Sequence, residues 1–440
     1  MSAPGPTVMQ RRAVRTVTAM LGQLQVGCVE LVLPDGRCGI FGDRDSSLRA
    51  SIEVTDWRFF TRLLNGATVG AGESYLEAQW WSSDLVSLVR IVIANRRALR
   101  RLTPAGLVNI AADRMVHLLR DNRPGRAKRN VAAHYDLSND LYEQFLDATM
   151  TYSAAVFDSP SQSLEQAQEN KYRRLADKAR VDARSHVLEI GCGWGGFAVF
   201  AARTYGCQVT GVTLSEEQAD YARRRVAEEG LHDRVEIRLA DYRELSGQFD
   251  RVVSIEMLEA VGHRHLGEFF ATVDRVLAPD GLAALQVITI PEQRYAGYQR
   301  RPDFIQRYIF PGGHLPSLEA ITRAMGRSSE LYVESAENIG MHYAETLRRW
   351  RERFLDRSDA VRELGFDDRF VRMWEFYLAY CEGAFLARYI GDLQLVLTRA
   401  MNGTLGTEPY GRQLVAVREA DLPPRRIERH ARPGVRAASR

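Results

Sequence analysis

The chain has few cysteines, very few lysines and no long apolar run. Its cysteines, Cys28, Cys38, Cys192, Cys207 and Cys381, include no CxxC pair, which excludes a dithiol redox motif and the usual zinc clusters. No uninterrupted apolar stretch reaches the roughly 18 residues that a membrane span needs, and the first residues lack the pattern of a signal peptide. The sequence therefore predicts a cytoplasmic protein that meets any membrane from the water side.

The charged residues are nearly balanced in sign. Fifty-nine lysines and arginines against 56 acids leave a net charge of +3 at pH 7, too small an excess for a chain whose main task is to bind nucleic acid. Only three of the bases, Lys128, Lys171 and Lys178, are lysines. An arginine excess suits phosphate binding, but it also follows from a GC-rich genome, so composition names no partner.

The length of 440 residues allows two to four domains. Residues 1–122 mix short apolar runs with turn signals and predict a small N-terminal α+β domain. The segment 123–130, RPGRAKRN, combines proline, glycine and bases and is interpreted as a linker. Residues 131–421 then form the second domain, and the arginine-rich tail 422–440 is predicted to be disordered.

Five short apolar runs follow residue 186, separated by helical stretches. They are VLEI, CQVTGVTL, VEIRLA, FDRVVSI and GLAALQVITI. Continuous apolar strands that alternate with helices are typical of a parallel sheet covered on both faces, so we predict a doubly wound, Rossmann-like α/β domain. Capping boxes at Ser163–Gln166 and Ser215–Gln218 mark two helix starts. The ligand of such a sheet lies beyond the carboxyl ends of its central strands.

A glycine-rich turn, Gly191-Cys-Gly-Trp-Gly-Gly196, follows the first of these strands. Glycines let the backbone approach a ligand closely, and the next helix offers its positive end. A dinucleotide fold would place an acid at the tip of the second strand, where this chain has Thr213-Leu-Ser215, which argues against NAD. At the tip of the third strand, Asp241 could bond an adenine amino group and Tyr242 could stack beside the ring.

The glycine turn, together with Leu277-Ala-Pro279-Asp-Gly281, resembles the class I S-adenosylmethionine-dependent methyltransferases. Further segments are similar to the cyclopropane-fatty-acyl-phospholipid synthase family, which includes the mycolic acid methyltransferases. The resemblance runs over about residues 125–400. The segments that carry it are His134–Tyr142, Met150–Ser153, GVTLSEEQ, Ile309–Ser317 and Tyr377–Phe385.

The resemblance implies S-adenosylmethionine as the cofactor and a set of residues that touch it. Carried over by motif, these residues are Tyr152, Ser153, Glu189, Gly191, Gly193, Trp194, Gly195, Gly196, Thr213, Leu214, Gln218, Asp241 and Tyr242. In this family the methyl group goes to a carbon of a cis double bond in an acyl chain, which leaves a carbocation on the neighbouring carbon. A base must then remove a proton.

The resemblance also implies that this base is a bound bicarbonate, held in a cage of polar groups. The matching residues are Glu259, Tyr343 and Cys381, although Cys381 fits equally well as a small buried residue on a helix. Glu256 is interpreted as a carboxylate at a helix start. Gln286 stands where a cage histidine is expected.

Three cage positions depart from the cyclopropane synthases, with Ala154 for cysteine, Ala260 for histidine and Gln286 for histidine. A proton taken from the new methyl group closes a cyclopropane, whereas one taken from a chain carbon gives an alkene, such as an exocyclic methylene after rearrangement. These departures favour a methylene- or methyl-branched product from oleoyl-type phospholipid over a ring. Reduction to a methyl branch would require a separate flavin or nicotinamide reductase as partner.

Residues 290–390 are rich in aromatic side chains, which predicts an acyl-binding region in addition to core. Within it, Thr346–Arg357 places apolar residues on one helical face with arginines around them. This pattern fits a helix at the inner face of a membrane, and it fits a core helix with a solvated arginine face equally well. Family analogy implies a homodimer.

Two other classes of function remain open from the sequence. The first is a methyltransferase that acts on a small molecule, a nucleic acid or a protein, which leaves the aromatic region unexplained. The second is a lipid-binding homologue without catalysis, suggested by Ala154, Ala260 and Gln286. The intact Glu259, Tyr343 and glycine turn argue against this second class.

Overall fold

A computed structural model describes residues 5–100, 138–300 and 303–405 of the chain. The predicted linker 123–130 and tail 422–440 lie outside the described residues, so both remain predictions. Among the described residues, no helix has the length and apolar character needed to cross a bilayer.

The N-terminal part is an α+β unit, as predicted. Its four strands form a sheet in the order β2-β1-β3-β4, in which β1 pairs parallel with β3 and the other pairs are antiparallel. The elements are α1 (Val8–Leu21), β1 (Cys28–Val32), β2 (Cys38–Gly42), β3 (Arg49–Val54), α2 (Arg58–Leu76), β4 (Trp80–Trp81), α3 (Leu85–Ala94) and α4 (Arg96–Arg100).

The second part is built on a seven-stranded sheet in the order β10-β11-β9-β8-β5-β6-β7. Its strands are β5 (His186–Ile190), β6 (Gln208–Thr213), β7 (Val235–Leu239), β8 (Phe249–Ile255), β9 (Leu277–Thr289), β10 (Tyr332–Asn338) and β11 (Gly391–Thr398). Strands β5 to β9 are parallel, which confirms the prediction from the five apolar runs. Strands β10 and β11 extend the sheet antiparallel and were not predicted.

Helices cover both faces of this sheet. One face packs against α9 and α11 and the other against α6, α7 and α8, so central residues such as Val187 and Leu188 are fully buried. The domain is therefore doubly wound, as predicted. The helices of this part are α5 (Asn139–Glu143), α6 (Leu164–Lys178), α7 (Gly196–Tyr205), α8 (Glu216–Glu228), α9 (Leu266–Val276), α10 (Glu292–Tyr298), α11 (Leu318–Ser328), α12 (Gly340–Asp356), α13 (Ser358–Glu363) and α14 (Asp368–Leu386).

The two predicted capping boxes differ in the structure. Ser163 and Gln166 exchange both bonds at the start of α6. Ser215 caps α8 by accepting from the Gln218 backbone, but the Gln218 side chain accepts from the Thr213 hydroxyl instead of closing the box. The Gln218 side chain is thereby held at the carboxyl end of β6.

Helix α12 is a core helix. Leu347, Trp350 and Phe354 are almost completely buried, Arg348 is paired with two glutamates of its own helix, and Arg349 donates to the carbonyl of Gln162. This confirms the second of the two alternatives for residues 346–357, and the apolar face of the helix is not available to a membrane.

The N-terminal part packs on α14 through a shared hydrophobic core. The approach is close: a Cβ on Gly383 of α14 would lie 2.8 Å from Val89 Cβ of α3. Tyr75 of α2 also donates to Glu375 of α14 at 2.9 Å. One role of the N-terminal part is therefore to support the helix that forms a wall of the site described next.

Candidate active site

Two cavities lie at the carboxyl ends of the central strands, where the fold predicts a ligand. The first cavity encloses about 1150 Å³, including its open mouth, and is lined by Met150–Ser153, the glycine turn after β5 and the residues that follow β6, β7 and β8. The second cavity has a volume of about 1360 Å³, also including its open mouth, and is lined mainly by residues 288–315, α12 and α14.

The glycine turn needs its glycines for different reasons. Gly191, Gly193 and Gly195 all have positive φ, between +50° and +83°, a conformation that favours glycine. A Cβ on Gly195 would lie 3.0 Å from Ala222 Cβ, so this glycine allows α7 to start close to α8. A Cβ on Gly193 would enter open space at the wall of the first cavity. Gly193 therefore keeps the cavity clear for a ligand.

The first cavity fits the predicted cofactor. Eleven of the thirteen residues predicted to touch it line the cavity, and only Gly195 and Asp241 do not. Glu189 presents a buried carboxylate oxygen, Oε2, that has no hydrogen-bond partner among the described residues, and burial raises the pKa of this carboxyl well above its usual range. An unpartnered acceptor in a glycine-lined cavity is suited to a ligand that carries N–H or O–H donors.

Asp241 does not face the first cavity. Its carboxylate accepts from Nε and Nη2 of Arg243 at 2.9 and 2.6 Å, and Arg243 lines the cavity in its place, beside Tyr242. The arginine holds the pKa of Asp241 below its usual value against the opposing effect of burial. A direct bond from Asp241 to an adenine amino group thus remains a prediction that would require this ion pair to rearrange.

The second cavity is aromatic and mainly apolar. Aromatic residues of the predicted acyl-binding region 290–390 line it, among them Tyr298, Phe310, Tyr343, Tyr377 and Phe385. Tyr380 and Tyr389 add to this wall, whereas Trp350 and Trp374 are core. An apolar cavity of this size with a few polar groups suits a long hydrocarbon ligand.

The two cavities meet at Tyr152, Glu256 and Ala260, which line both. Tyr152 is fixed by a hydrogen bond of 2.8 Å between its hydroxyl and that of Tyr377. A ligand in the first cavity and a ligand in the second would therefore each lie next to these three residues.

Three of the four predicted catalytic residues, Glu259, Tyr343 and Cys381, line the second cavity. Gln286 lies behind the junction, where its amide donates to Glu256 at 2.8 Å and to Asp392 at 3.1 Å. Burial raises the pKa of the Cys381 thiol far above its usual value, which favours the neutral thiol over the thiolate.

Glu259 and Tyr343 face the second cavity without bonding each other. Glu259 Oε1 accepts from the backbone N–H of Ile288, and Glu259 Oε2 is buried with no hydrogen-bond partner in the part of the chain that the structure describes. Burial and the neighbouring Glu256 raise the pKa of Glu259 to about 8. Tyr343 donates its hydroxyl to Glu256 Oε2 at 2.8 Å.

The chain matches one family model and several known proteins. The model of the mycolic acid cyclopropane synthetases matches residues 122–395. The chain belongs to this family. The tuberculostearic acid methyltransferase of Mycobacterium tuberculosis is 44% identical over 349 residues, which cover 75% of this chain and 79% of that protein. The cyclopropane-fatty-acyl-phospholipid synthase of Escherichia coli is 37% identical over 364 residues, which cover 82% and 91%.

A solved structure gives the same assignment. The mycolic acid cyclopropane synthase complexed with S-adenosylhomocysteine and CTAB superposes with a TM-score of 0.58 at 30% identity, covering 62% of this chain and 98% of that chain. As a member of the mycolic acid cyclopropane synthetase family, the protein is an S-adenosylmethionine-dependent enzyme that modifies lipid acyl chains.

No role in the site was assigned from the sequence to three ionisable residues, Lys171, Asp392 and Glu256. Lys171 on α6 is completely buried, donates to Ser153 Oγ at 2.7 Å, and burial lowers its pKa to about 8. Asp392 on β11 is fully buried, and burial and Glu256 raise its pKa well above its usual range. Glu256 was assigned to a helix start. Of these three residues, Lys171 carried a signal in the sequence, as one of only three lysines in a chain rich in arginine.

We expect Glu259→Gln to gain stability relative to the wild type as pH rises from about 4.5 to 8. The folded chain holds the Glu259 proton up to a pKa of about 8, whereas the ordinary carboxyl of the unfolded chain loses it at 4.5. Between these values the folded state binds more protons, so wild-type stability falls with rising pH. Glutamine removes this titration and keeps an acceptor for Ile288.

Urea unfolding near pH 5 and near pH 8 measures this effect. The stability difference between Glu259→Gln and the wild type should shift in favour of the variant by at least about 1 kcal/mol. The same difference at both pH values would contradict a protonated Glu259 in the wall of the second cavity.

Proposed function

We propose that the protein transfers a methyl group from S-adenosylmethionine to the cis double bond of an unsaturated phospholipid acyl chain, and that the product is a methylene- or methyl-branched chain. The observation that carries this proposal is the junction of a glycine-lined cavity and an aromatic cavity at Tyr152, Glu256 and Ala260. The cofactor supplies an electrophilic methyl group when it is bound. The side chains of the protein align the double bond of the acyl chain with that methyl group.

The second cavity holds the alkene dry and oriented. An alkene is a weak nucleophile, so its carbon must be held about 3–3.5 Å from the methyl group. The Tyr152–Tyr377 hydrogen bond and the stacked pair Tyr343–Phe385, whose ring centroids lie 4.6 Å apart, make the wall rigid. Aromatic faces and a nearby carboxylate also stabilise the positive charge that forms on the chain.

A hydride shift decides which product forms. The first C–C bond leaves a cation on the carbon next to the methylated one. If hydrogen moves from the methylated carbon to that cation and the methyl group then loses a proton, an exocyclic methylene results. Proton loss from the methyl group without the shift closes a cyclopropane, and this is the alternative product.

The proposed setting is the inner face of the membrane, where a cytoplasmic protein that associates peripherally would draw an acyl chain into the second cavity. Four polar side chains line the cavities, where a protein that only binds lipid would not require them: Glu189, Glu256, Glu259 and Tyr343. Conversion of a methylene to a methyl branch would require hydride from a separate flavin or nicotinamide reductase.

Methyl-labelled cofactor and purified protein test the proposal on phospholipid vesicles. We expect label in the acyl chains of dioleoyl vesicles and none in vesicles with saturated chains, with a mass gain of one CH2. Because a ring and a methylene have the same mass, the olefinic CH2 protons in the NMR spectrum identify the product. Label in the head group, or equal label with saturated chains, would contradict the proposal, and a ring would contradict the branched product alone.

A further inference from the structure

Glu256 has a backbone conformation that few residues other than glycine adopt. It follows β8 directly and has φ of +50°, in the left-handed region that is unfavourable for a residue with a side chain. A side chain kept at such a position when glycine would fit freely points to a role for that side chain.

Among the described residues, a hydrogen bond with Asp392 and three N–H or O–H donors fix the Glu256 carboxylate. Oε1 accepts from the backbone N–H of Ala154 at 2.7 Å and from the amide of Gln286 at 2.8 Å. Oε2 accepts from the Tyr343 hydroxyl at 2.8 Å. A hydroxyl donor takes one of the two lone pairs of Oε2, and the side chain borders both cavities. The carboxylate is therefore held rigidly where the two ligands meet.

The surrounding charges favour an ionised Glu256 once a cation is present. Burial raises the pKa of Glu256 above its usual value, and the Ala154 amide, Lys171, Tyr343 and Gln286 offset only part of that effect. The neighbouring acids have raised pKa values, with Glu259 at about 8 and Asp392 well above its usual range. A sulfonium or a carbocation at the junction lowers the pKa of an adjacent carboxyl further.

We propose that the Glu256 carboxylate is the base that removes the proton from the methylated acyl cation. This inference rests on the proposed function. The alkene carbon bonds to the methyl carbon while the C–S bond breaks and its electron pair stays on sulfur. After the hydride shift, Glu256 takes a proton from the methyl group, and the C–H electron pair becomes the second bond of the methylene. Glu256 then releases its proton to solvent.

Few hydrogen-bond donors remain at this place to hold a bicarbonate ion. The Tyr343 hydroxyl and the Gln286 amide, two donors that a caged anion would need, both donate to Glu256. The cage positions 154 and 260 are alanines and offer no side-chain donor. A carboxylate built into the chain thus occupies the acceptor role that the family resemblance assigns to bicarbonate.

Substitutions at residue 256 distinguish the loss of a catalytic base from the loss of the folded structure. Glu256→Gly relieves the positive φ but removes the hydrogen bonds of the carboxylate, and Glu256→Gln keeps the size of the side chain. Thermal unfolding of both variants shows that they fold. We expect both variants to lose methyl transfer to dioleoyl vesicles by at least about 100-fold. Binding of S-adenosylhomocysteine, which lacks the sulfonium charge, should be retained. Glu256→Asp should recover part of the activity.

A matched control is Arg180→Gly, because Arg180 also has positive φ (+53°), is exposed and lies outside both cavities. Its methyl transfer should equal that of the wild type. The wild-type rate should also be the same in bicarbonate-depleted buffer and in buffer with added bicarbonate.

The outcomes are distinct. Full activity of Glu256→Gly and Glu256→Gln, or a wild-type rate that depends on bicarbonate, would overturn Glu256 as the base and leave the proposed function standing. No methyl transfer by the wild type to any unsaturated phospholipid would instead overturn the proposed function.

Discussion

Replacing Ala260 with phenylalanine should lower methyl transfer to unsaturated phospholipid by at least about 100-fold. Ala260 is exposed to the empty space of both cavities and forms part of their junction. A phenyl ring there separates the acyl chain from the methyl group, and an error of about 1 Å in alignment already costs about 100-fold in rate. Steady-state kinetics with dioleoyl vesicles measure the effect.

The control for this substitution is Ala183→Phe, which adds the same ring to an exposed residue before β5 and outside both cavities. It should retain wild-type kinetics. Binding of S-adenosylhomocysteine to Ala260→Phe should change far less than kcat/KM does. Wild-type turnover by Ala260→Phe would mean that the reacting carbon does not pass the junction.

Gly193→Ala should raise the Kd for S-adenosylmethionine by at least about tenfold. The added Cβ enters the open space of the first cavity, and displacing a ligand group from such a contact costs about 1.4 kcal/mol or more. The positive φ of Gly193 also costs alanine roughly 1 kcal/mol of folding stability. Isothermal titration calorimetry and urea unfolding separate the two effects.

Gly230→Ala is the matched control for Gly193→Ala. Gly230 has φ of +66°, is exposed after α8, and its Cβ would also meet no atom within 4 Å. It should lose similar stability and keep wild-type cofactor affinity. Equal cofactor affinity of the two variants would show that the glycine turn does not contact the cofactor.

The parallel strands were predictable because each is a short, mainly apolar run, and central strands such as β5 and β6 are buried on both faces. Strand β10 was not, because YVESAEN is polar and mostly exposed at the edge of the sheet. Strand β11 is apolar, but its position follows from antiparallel pairing with β9, which no local pattern specifies. The same local reasoning placed the glycine turn and the end of β6 correctly in the wall of the first cavity.

The junction was only partly predictable. Glu259 and Tyr343 were found by their place in family motifs, whereas Glu256 acquires its role from partners about 30 to 100 residues away in sequence, Ala154, Gln286 and Tyr343. Asp241 was predicted from its position at the end of a strand. Arg243, two residues further on, donates to the Asp241 carboxylate, and a pattern based on strand ends does not include such an ion pair.

The central claim is that an acyl double bond lies at the junction, next to the cofactor sulfur. A crystal structure with S-adenosylhomocysteine and a dioleoyl phospholipid measures this directly. We expect the mid-chain carbons in the second cavity about 3–4 Å from the methyl position, with the Glu256 carboxylate on the same side. An acyl chain bound elsewhere, or a sulfur atom remote from Glu256, would contradict the account.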